Sequence, residues 1–301
     1  MNRPAPRSID QYLSQLREAL KGADPALVQD ALYDAEEYLR AEVGQHPGKS
    51  EADVLELIAS TYGAPDEVAE AYRTTEKTVR EATKPHAPPA RATPLGRFFA
   101  VYSDSRAWTA LFYMLLALVT GIFYFAVTVA GLSISFGLAF LIIGVPFFLL
   151  FIGFTRLLSL VEGRIVEGLL GARMPRRPVV SARGASIFVR IKDMLTDRRT
   201  WTTLLYMILM LPLGITYFTV TVAGLAVSLG CIAAPVAGLF HILGHTGAAV
   251  QWDGTYMPWP LTLPVGLFGV LLLTVLMHAV RAIGTLHGTL ARTLLLSRDD
   301  A

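Results

Sequence analysis

The sequence predicts an all-α protein: a small soluble helical domain followed by a four-helix transmembrane domain made of two repeated two-span hairpins with amphipathic tails. Three observations predict it. First, charge is segregated. The chain is 53% hydrophobic and 17% charged, with mean hydropathy +0.48, where a soluble chain carries about a quarter charged residues. No Asp, Glu, Lys or Arg lies between Arg106 and Arg156, and only Asp253 lies between Arg199 and Arg281. Second, a long apolar stretch occurs twice. WTALFYMLLALVTGIFYFAVTVAGLSISFG from Trp108 to Gly137 aligns with WTTLLYMILMLPLGITYFTVTVAGLAVSLG from Trp201 to Gly230, and roughly two-thirds of the positions are identical, the mark of a duplication. Third, the N-terminal part has apolar residues at helical spacing.

The N-terminal domain spans 8–82. Ile9, Tyr12, Leu13, Leu16 and Leu20 mark a first helix. Asp24 caps a second and Pro25 fits its first position. Leu27, Ala31, Ala35, Leu39 and Val43 form the stripe of that helix, with Asp34, Glu36 and Glu37 largely off it, and 44–48 reads as a loop. Ser50 with Asp53 reads as a capping box opening a third helix. Gly63-Ala64-Pro65-Asp66 is a turn into a fourth. The opening Tyr-Leu-x-x-Leu, the acidic patch before Tyr38-Leu39, and Tyr62-Gly63-x-Pro65-x-Glu67-x-Ala69 together resemble the HAAS/DUF1700 family over about residues 8 to 75. The resemblance implies a cytoplasmic helical signalling domain, linked in bacteria with PadR-type transcription regulators, and no catalysis. Asp34, Glu36, Glu37 and Tyr38 are the candidate partner-binding residues.

Residues 83–96 form a proline-rich linker, since proline disfavours helix and extends the chain. Membrane repeat 1 spans 97–175 and repeat 2 spans 176–301, with an insert at 231–262 that the first repeat lacks. Each apolar copy is long enough to cross a hydrocarbon core of about 30 Å. Spans are expected near Trp108–Leu132, Leu138–Leu158, Trp201–Leu225 and Leu261–Val280, the first two joined by a tight turn within 131–137. After each hairpin comes a tail, RLLSLVEGRIVEGLLGAR from Arg156 and RAIGTLHGTLARTLLLSR from Arg281. The tails align with each other and read as amphipathic helices lying on a membrane surface. Residues 229–244 are apolar enough to dip into the bilayer; a fifth span there would put Arg281 onward outside and break the repeat, so they read as re-entrant or interfacial. The spans themselves read as free of charge apart from Arg156, which argues against an ion path.

Basic residues crowd the segment from Arg164 to Arg199 and the second tail, and neither hairpin tip has one. By the positive-inside rule both termini and the central loop are cytoplasmic, in a bacterial inner membrane, and the tips face outward. The N-terminus has no apolar core after its arginines, so no cleaved signal is expected. The lone Cys231 makes no internal disulfide.

The doubled WTxLxYM…YFxVTVAGLxxSxG resembles the Sensor domain of bacterial membrane proteins, often fused to histidine kinases, over about residues 97 to 298. With the second tail running to Arg298, no kinase is expected here. The resemblance implies membrane sensing.

Candidate ligand-binding residues are Thr128, Gly131, Thr221 and Gly224, small and hydroxyl groups near the outer ends of the first and third spans, where plain helix packing is the competing reading. Trp252, Asp253, Tyr256 and Trp259 in the insert read as an interfacial anchor or a cap over an outer pocket. His241 and His245 would share a helix face, a weak half-site for zinc or copper; no metal and no cofactor is expected. Tyr113, Tyr124, Tyr206 and Tyr217 recur in matched pairs, as do Trp108 and Trp201. No P-loop, nucleophile elbow or cysteine-pair motif occurs. The reading is a non-enzymatic membrane sensor relaying an envelope signal to a cytoplasmic protein partner, with the lipid bilayer as its environment, no direct nucleic acid contact and a homodimer open. A small transporter or permease subunit, and a membrane anchor for a cytoplasmic assembly, stand as alternatives.

Overall fold

A computed structural model describes residues 5–82, 93–139, 141, 143–174, 196–244, 251–252 and 255–295. The N-terminal domain holds α1 (Ile9–Ala19), α2 (Pro25–Gln45), α3 (Glu51–Ile58) and α4 (Pro65–Ala82). Local chemistry fixes each start. Ser8 caps α1 by accepting from Gln11 N at 3.2 Å. Asp24 caps α2 through Ala26 N at 3.0 Å, with Pro25 at the first position. Ser50 and Asp53 form the reciprocal capping box on α3. The second helix runs to Gln45, so the loop begins at His46, two residues later than residue 44 suggested. Tyr12, Leu16, Leu20, Ala31, Leu39, Leu55 and Val68 close a single core.

Thr93 caps a short helix, α5 (Pro94–Phe99), and a 3₁₀ turn at Ala100–Ser103 leads into the membrane domain. Four long apolar helices follow: α6 (Ser105–Gly137), α7 (Gly144–Leu170), α8 (Arg198–Ile242) and α9 (Trp259–Leu295). They contain 33, 27, 45 and 37 residues, each long and apolar enough to cross a membrane. Asp104 and Asp197 start the two repeat-equivalent helices alike, accepting from Arg106 N at 3.0 Å and Arg199 N at 2.9 Å. Gly171, at φ 70°, ends α7 in the left-handed conformation that glycine adopts without strain.

Three boundaries differ from those expected. The helix α6 runs to Gly137 and α7 starts at Gly144, so the first hairpin does not turn within 131–137. The tails are amphipathic but are not separate surface helices. The helices α7 and α9 pass Arg156 and Arg281 without a break, because no glycine C-cap or proline stops them there. Residues 229–242 do not form a separate segment; they continue α8 as helix. Pro212 and Pro235 both lie inside α8, as prolines can in transmembrane helices. Beyond α8, a two-residue antiparallel ladder pairs Gln251 with Tyr256 and Trp252 with Thr255.

The two repeats cross each other through their first helices. A Cβ on Gly121 would collide with the Met210 carbonyl, and one on Gly214 with the Ala117 carbonyl. Gly121 and Gly214 are equivalent in the two repeats, as are Ala117 and Met210, so the crossing is reciprocal. Such close backbone approach is how helices associate in lipid, where apolar burial gives little drive.

Candidate functional site

Where the four helices meet, they bury a polar node. The helix α6 carries Tyr113 and Tyr124, and α8 carries Tyr206 and Tyr217. Each pair is 11 residues apart, about three turns, so each pair shares one helix face. The helix α7 contributes Glu162, on the buried face that also carries Thr155, Ser159 and Val166. The helix α9 contributes His287, on a face with Gly284, Gly288 and Ala291. Glu162 is 0% exposed and His287 1%.

The contacts are short. Tyr113 and Tyr206 each donate to Glu162 Oε1 at 2.8 Å, and Tyr124 donates to Oε2 at 3.0 Å. His287 Nε2 lies 2.6 Å from the Tyr113 hydroxyl and 3.0 Å from that of Tyr206. His287 Nδ1 lies 3.2 Å from the Tyr217 hydroxyl. A buried carboxylate is costly without partners, and three hydroxyl donors supply them.

Every member of the node has its counterpart in the other repeat. Tyr113 matches Tyr206, and Tyr124 matches Tyr217. Glu162 and His287 both stand six residues after the arginine that opens their tail. The node therefore straddles the duplication: Tyr113 and Tyr206 are shared, while an acid faces them from one repeat and an imidazole from the other.

A second set of contacts crosses between repeats. Arg156 of the first pairs with Asp197 of the second at 3.0 Å, and Arg281 of the second with Asp104 of the first at 2.9 Å. Each aspartate thus caps its own helix and holds the other repeat's arginine. Three further arginines reach the N-terminal domain. Arg173, just after α7, pairs with Glu76 of α4 and lies 3.8 Å from Asp30 of α2. Arg199 of α8 donates to Gln29 at 3.1 Å, and Arg292 of α9 pairs with Asp24 at 2.8 Å. Gln29 and Asp30 are buried accordingly.

Among the residues singled out from sequence, Thr128 and Thr221 are fully buried. The Thr221 hydroxyl lies 3.6 Å from Met114 Sδ, and Thr128 Oγ1 has no hydrogen-bond partner among the described residues. Gly131 packs on Phe151 and Gly224 on Leu276, each within its own repeat. Of the N-domain candidates, Glu37 is exposed. Glu36 is buried and holds Arg40 at 2.7 Å. Asp34 accepts from Tyr72 at 3.1 Å, and Tyr38 stacks on Tyr62 at 4.3 Å. In the insert, His241 stacks on Tyr256 at 4.8 Å, and Trp259 donates to the Pro235 carbonyl at 3.1 Å. Trp252 is described only as part of its strand, and Asp253 and His245 lie outside the described residues. Among the described residues no group of three or more His, Cys, Asp or Glu comes together to hold a metal.

Sequence reasoning missed Glu162 and His287, and the reading of uncharged spans is corrected by Glu162. It was assigned to a surface tail, whereas α7 carries it inward as part of one continuous helix. The signal was present. Glu162 falls on the Thr155, Ser159, Gly163 stripe, not on the face of Arg164, and the tail alignment sets its Glu-Gly against His287-Gly288.

Comparison with known proteins agrees with this architecture. The HAAS family matches residues 11–71 and the Sensor family matches residues 113–295. No curated protein and no solved structure gives a match. The Sensor match covers more than half of the chain and runs across all six residues of the node, so the chain belongs to the Sensor family and carries a HAAS domain ahead of its membrane helices.

Proposed function

We propose that this protein is a non-enzymatic regulator of the bacterial inner membrane, in which the four-helix domain senses a membrane or envelope signal and the HAAS domain carries its state to a cytoplasmic protein partner. The observation that supports this most is the junction between the two domains. Arg173, Arg199 and Arg292 come from the ends of α7, α8 and α9, and so from both repeats, and they converge on α2 and α4 of the HAAS domain. A change in how the repeats cross would move these arginines relative to one another and alter the hold on the HAAS domain. The arginine bias puts both termini and the 175–197 loop in the cytoplasm and the tips outside, whereas the packing runs α8 antiparallel to α6. A PadR-type regulator is the kind of partner that the HAAS resemblance suggests.

Co-purification tests the relay. The full chain, extracted in mild detergent, should bring down one cytoplasmic protein in fixed ratio. Arg173→Glu, which sets like charges against Glu76 and Asp30, should change that ratio several-fold. An unchanged ratio would show that the domain junction does not govern partner binding, and the absence of any co-purifying protein would remove the partner. Orientation is tested separately in a Cys231→Ser background. An impermeant thiol reagent added outside should label Gly254→Cys and leave Ser181→Cys untouched.

A further inference from the structure

The buried node has more hydrogen-bond contacts than hydrogens to fill them. Tyr113 and Tyr206 each touch both Glu162 Oε1 and His287 Nε2, yet each phenol carries a single hydrogen. With both hydrogens directed at the carboxylate, His287 Nε2 has to be a donor, shared between the two phenolic oxygens. Nδ1 is then bare and accepts from Tyr217. Every group is satisfied in that arrangement, and the node carries one negative charge.

One added proton leaves every group satisfied as well. If the imidazole takes it, Nδ1–H donates to the Tyr217 oxygen. If the carboxyl ends protonated instead, Nε2 gives its hydrogen to a shared hydroxyl, which gives its own to Glu162 Oε1, while the entering proton arrives on Nδ1; the imidazole has changed tautomer and Nδ1–H again donates to Tyr217. Both routes end with hydrogen on Nδ1, Tyr217 turned from donor to acceptor, and a node of zero net charge. Removing a net charge from a low-dielectric interior is favourable.

The titratable groups facing this centre are Tyr113 and Tyr124 from α6, Glu162 from α7, Tyr206 and Tyr217 from α8, and His287 from α9. The neighbouring arginines are engaged elsewhere: Arg156 with Asp197, Arg164 with Glu167, Arg281 with Asp104 and Arg292 with Asp24. Access favours one side. Tyr113, Tyr124, Tyr206, Glu162 and His287 are all buried, and Tyr217 is the member with partial exposure.

We propose that Glu162, His287 and the four tyrosines form a binding site for a single proton, which enters beside Tyr217 and ends on His287 Nδ1. The duplication makes such a site. The same residue at both tail positions would set two acids or two imidazoles against one pair of hydroxyls. The Glu162/His287 divergence instead pairs an acceptor with a group that can both accept and donate. The proposal stands apart from the relay to a cytoplasmic partner, and its test involves no partner.

The test uses the full chain in lipid nanodiscs with ¹⁵N-labelled histidine, the His287 resonances being those missing from His287→Gln. At about pH 8, Nδ1 should be bare and Nε2 protonated; by about pH 5, the range in which histidine titrates, Nδ1 should carry hydrogen. Native protein should take up one more proton per chain over that interval than His287→Gln. An Nδ1 that stays bare throughout, or carries hydrogen at both ends, overturns the site. Tyr217→Phe guards against misfolding of the histidine variant, because it keeps the ring and removes only the hydroxyl that must turn. Its His287 titration should not superimpose on the native one; coincident curves would overturn entry beside Tyr217.

Discussion

Glu162 accepts three hydroxyl donors, and the three are not equivalent. Tyr113 and Tyr206 serve both Glu162 and His287, whereas Tyr124 serves Glu162 alone and Tyr217 reaches only a ring nitrogen, at 3.2 Å. Hydrogen bonds to a charged group contribute about 1.5–3 kcal/mol, against about 1 kcal/mol between neutral groups. Tyr113→Phe and Tyr206→Phe should therefore lower unfolding stability by about 2–3 kcal/mol, and Tyr217→Phe by no more than about 1 kcal/mol. Thermal unfolding in one detergent, followed by circular dichroism, gives the ranking; equal losses at all four tyrosines would contradict the shared role. The pairing of the tyrosines was legible in sequence because both repeats carry them. Their partners were not, because Glu162 and His287 are different residues at equivalent positions, and identity is what reveals a repeat. An arginine three residues before Ser159 and another two after Glu162 also gave α7 the look of a surface helix, although the face between them is buried.

At the scale of elements, the helix ends given by capping chemistry were readable. Ser8, Asp24, Ser50, Asp104 and Asp197 all cap where a short polar side chain precedes an apolar run. The far ends were harder. Residues 229–242 read as a dip into the bilayer because a span of about 20 residues suffices to cross it, and nothing local says that a helix has passed that length. The glycines divide in a way that sequence alone did not show. Gly131 and Gly224 lie against the ends of Phe151 and Leu276, which can change rotamer. Gly121 and Gly214 lie against carbonyl groups of the opposite repeat, which cannot. Gly121→Ala and Gly214→Ala should each destabilise the membrane domain by about 1–3 kcal/mol or more, the cost of overpacking against fixed backbone. Gly224→Ala should be milder. Detergent-dependent unfolding of the three variants tests the order, and a Gly224 variant worse than either of the others would place the critical crossing within a repeat instead of between repeats.

At the scale of the whole molecule, two domains with different solvents share one charged seam. The HAAS domain has its own core, and its tyrosines report on it. Burial raises Tyr12, Tyr62 and Tyr72 above the usual phenol range, Tyr62 to about 12, with the charge of Asp34 adding to the effect at Tyr62 and Tyr72. The folded domain thus keeps protons that the unfolded chain gives up above about pH 10. The stability contributed is complete below that pH and declines as pH rises towards 12. Hydrogen exchange should show α1–α4 opening more often at high pH once intrinsic exchange rates are divided out, and Tyr62→Phe should flatten the trend. The seam itself is weaker than either domain. The Arg292–Asp24 pair is partly open to solvent, and Arg173 with Glu76 and Asp30 less so; exposed pairs contribute about 0–1 kcal/mol each. Their sum is small beside the core of either domain, so the HAAS domain should detach without unfolding. Salt screens such pairs, with a Debye length that falls from about 10 Å at 0.1 M to about 3 Å at 1 M. Spin labels on α4 and on the end of α9 should give one short distance at low salt and a broad, longer distribution at high salt. Arg292→Glu should give the broad distribution at low salt, and Asp24→Arg in the same chain should restore the short one. A seam this weak suits the relay proposed above, because a ligand or proton worth a few kcal/mol to the helices can then shift the docked population. If the short distance persists at 1 M salt and in Arg292→Glu, the two domains form one rigid body. Any signal would then have to pass through the HAAS domain without its release.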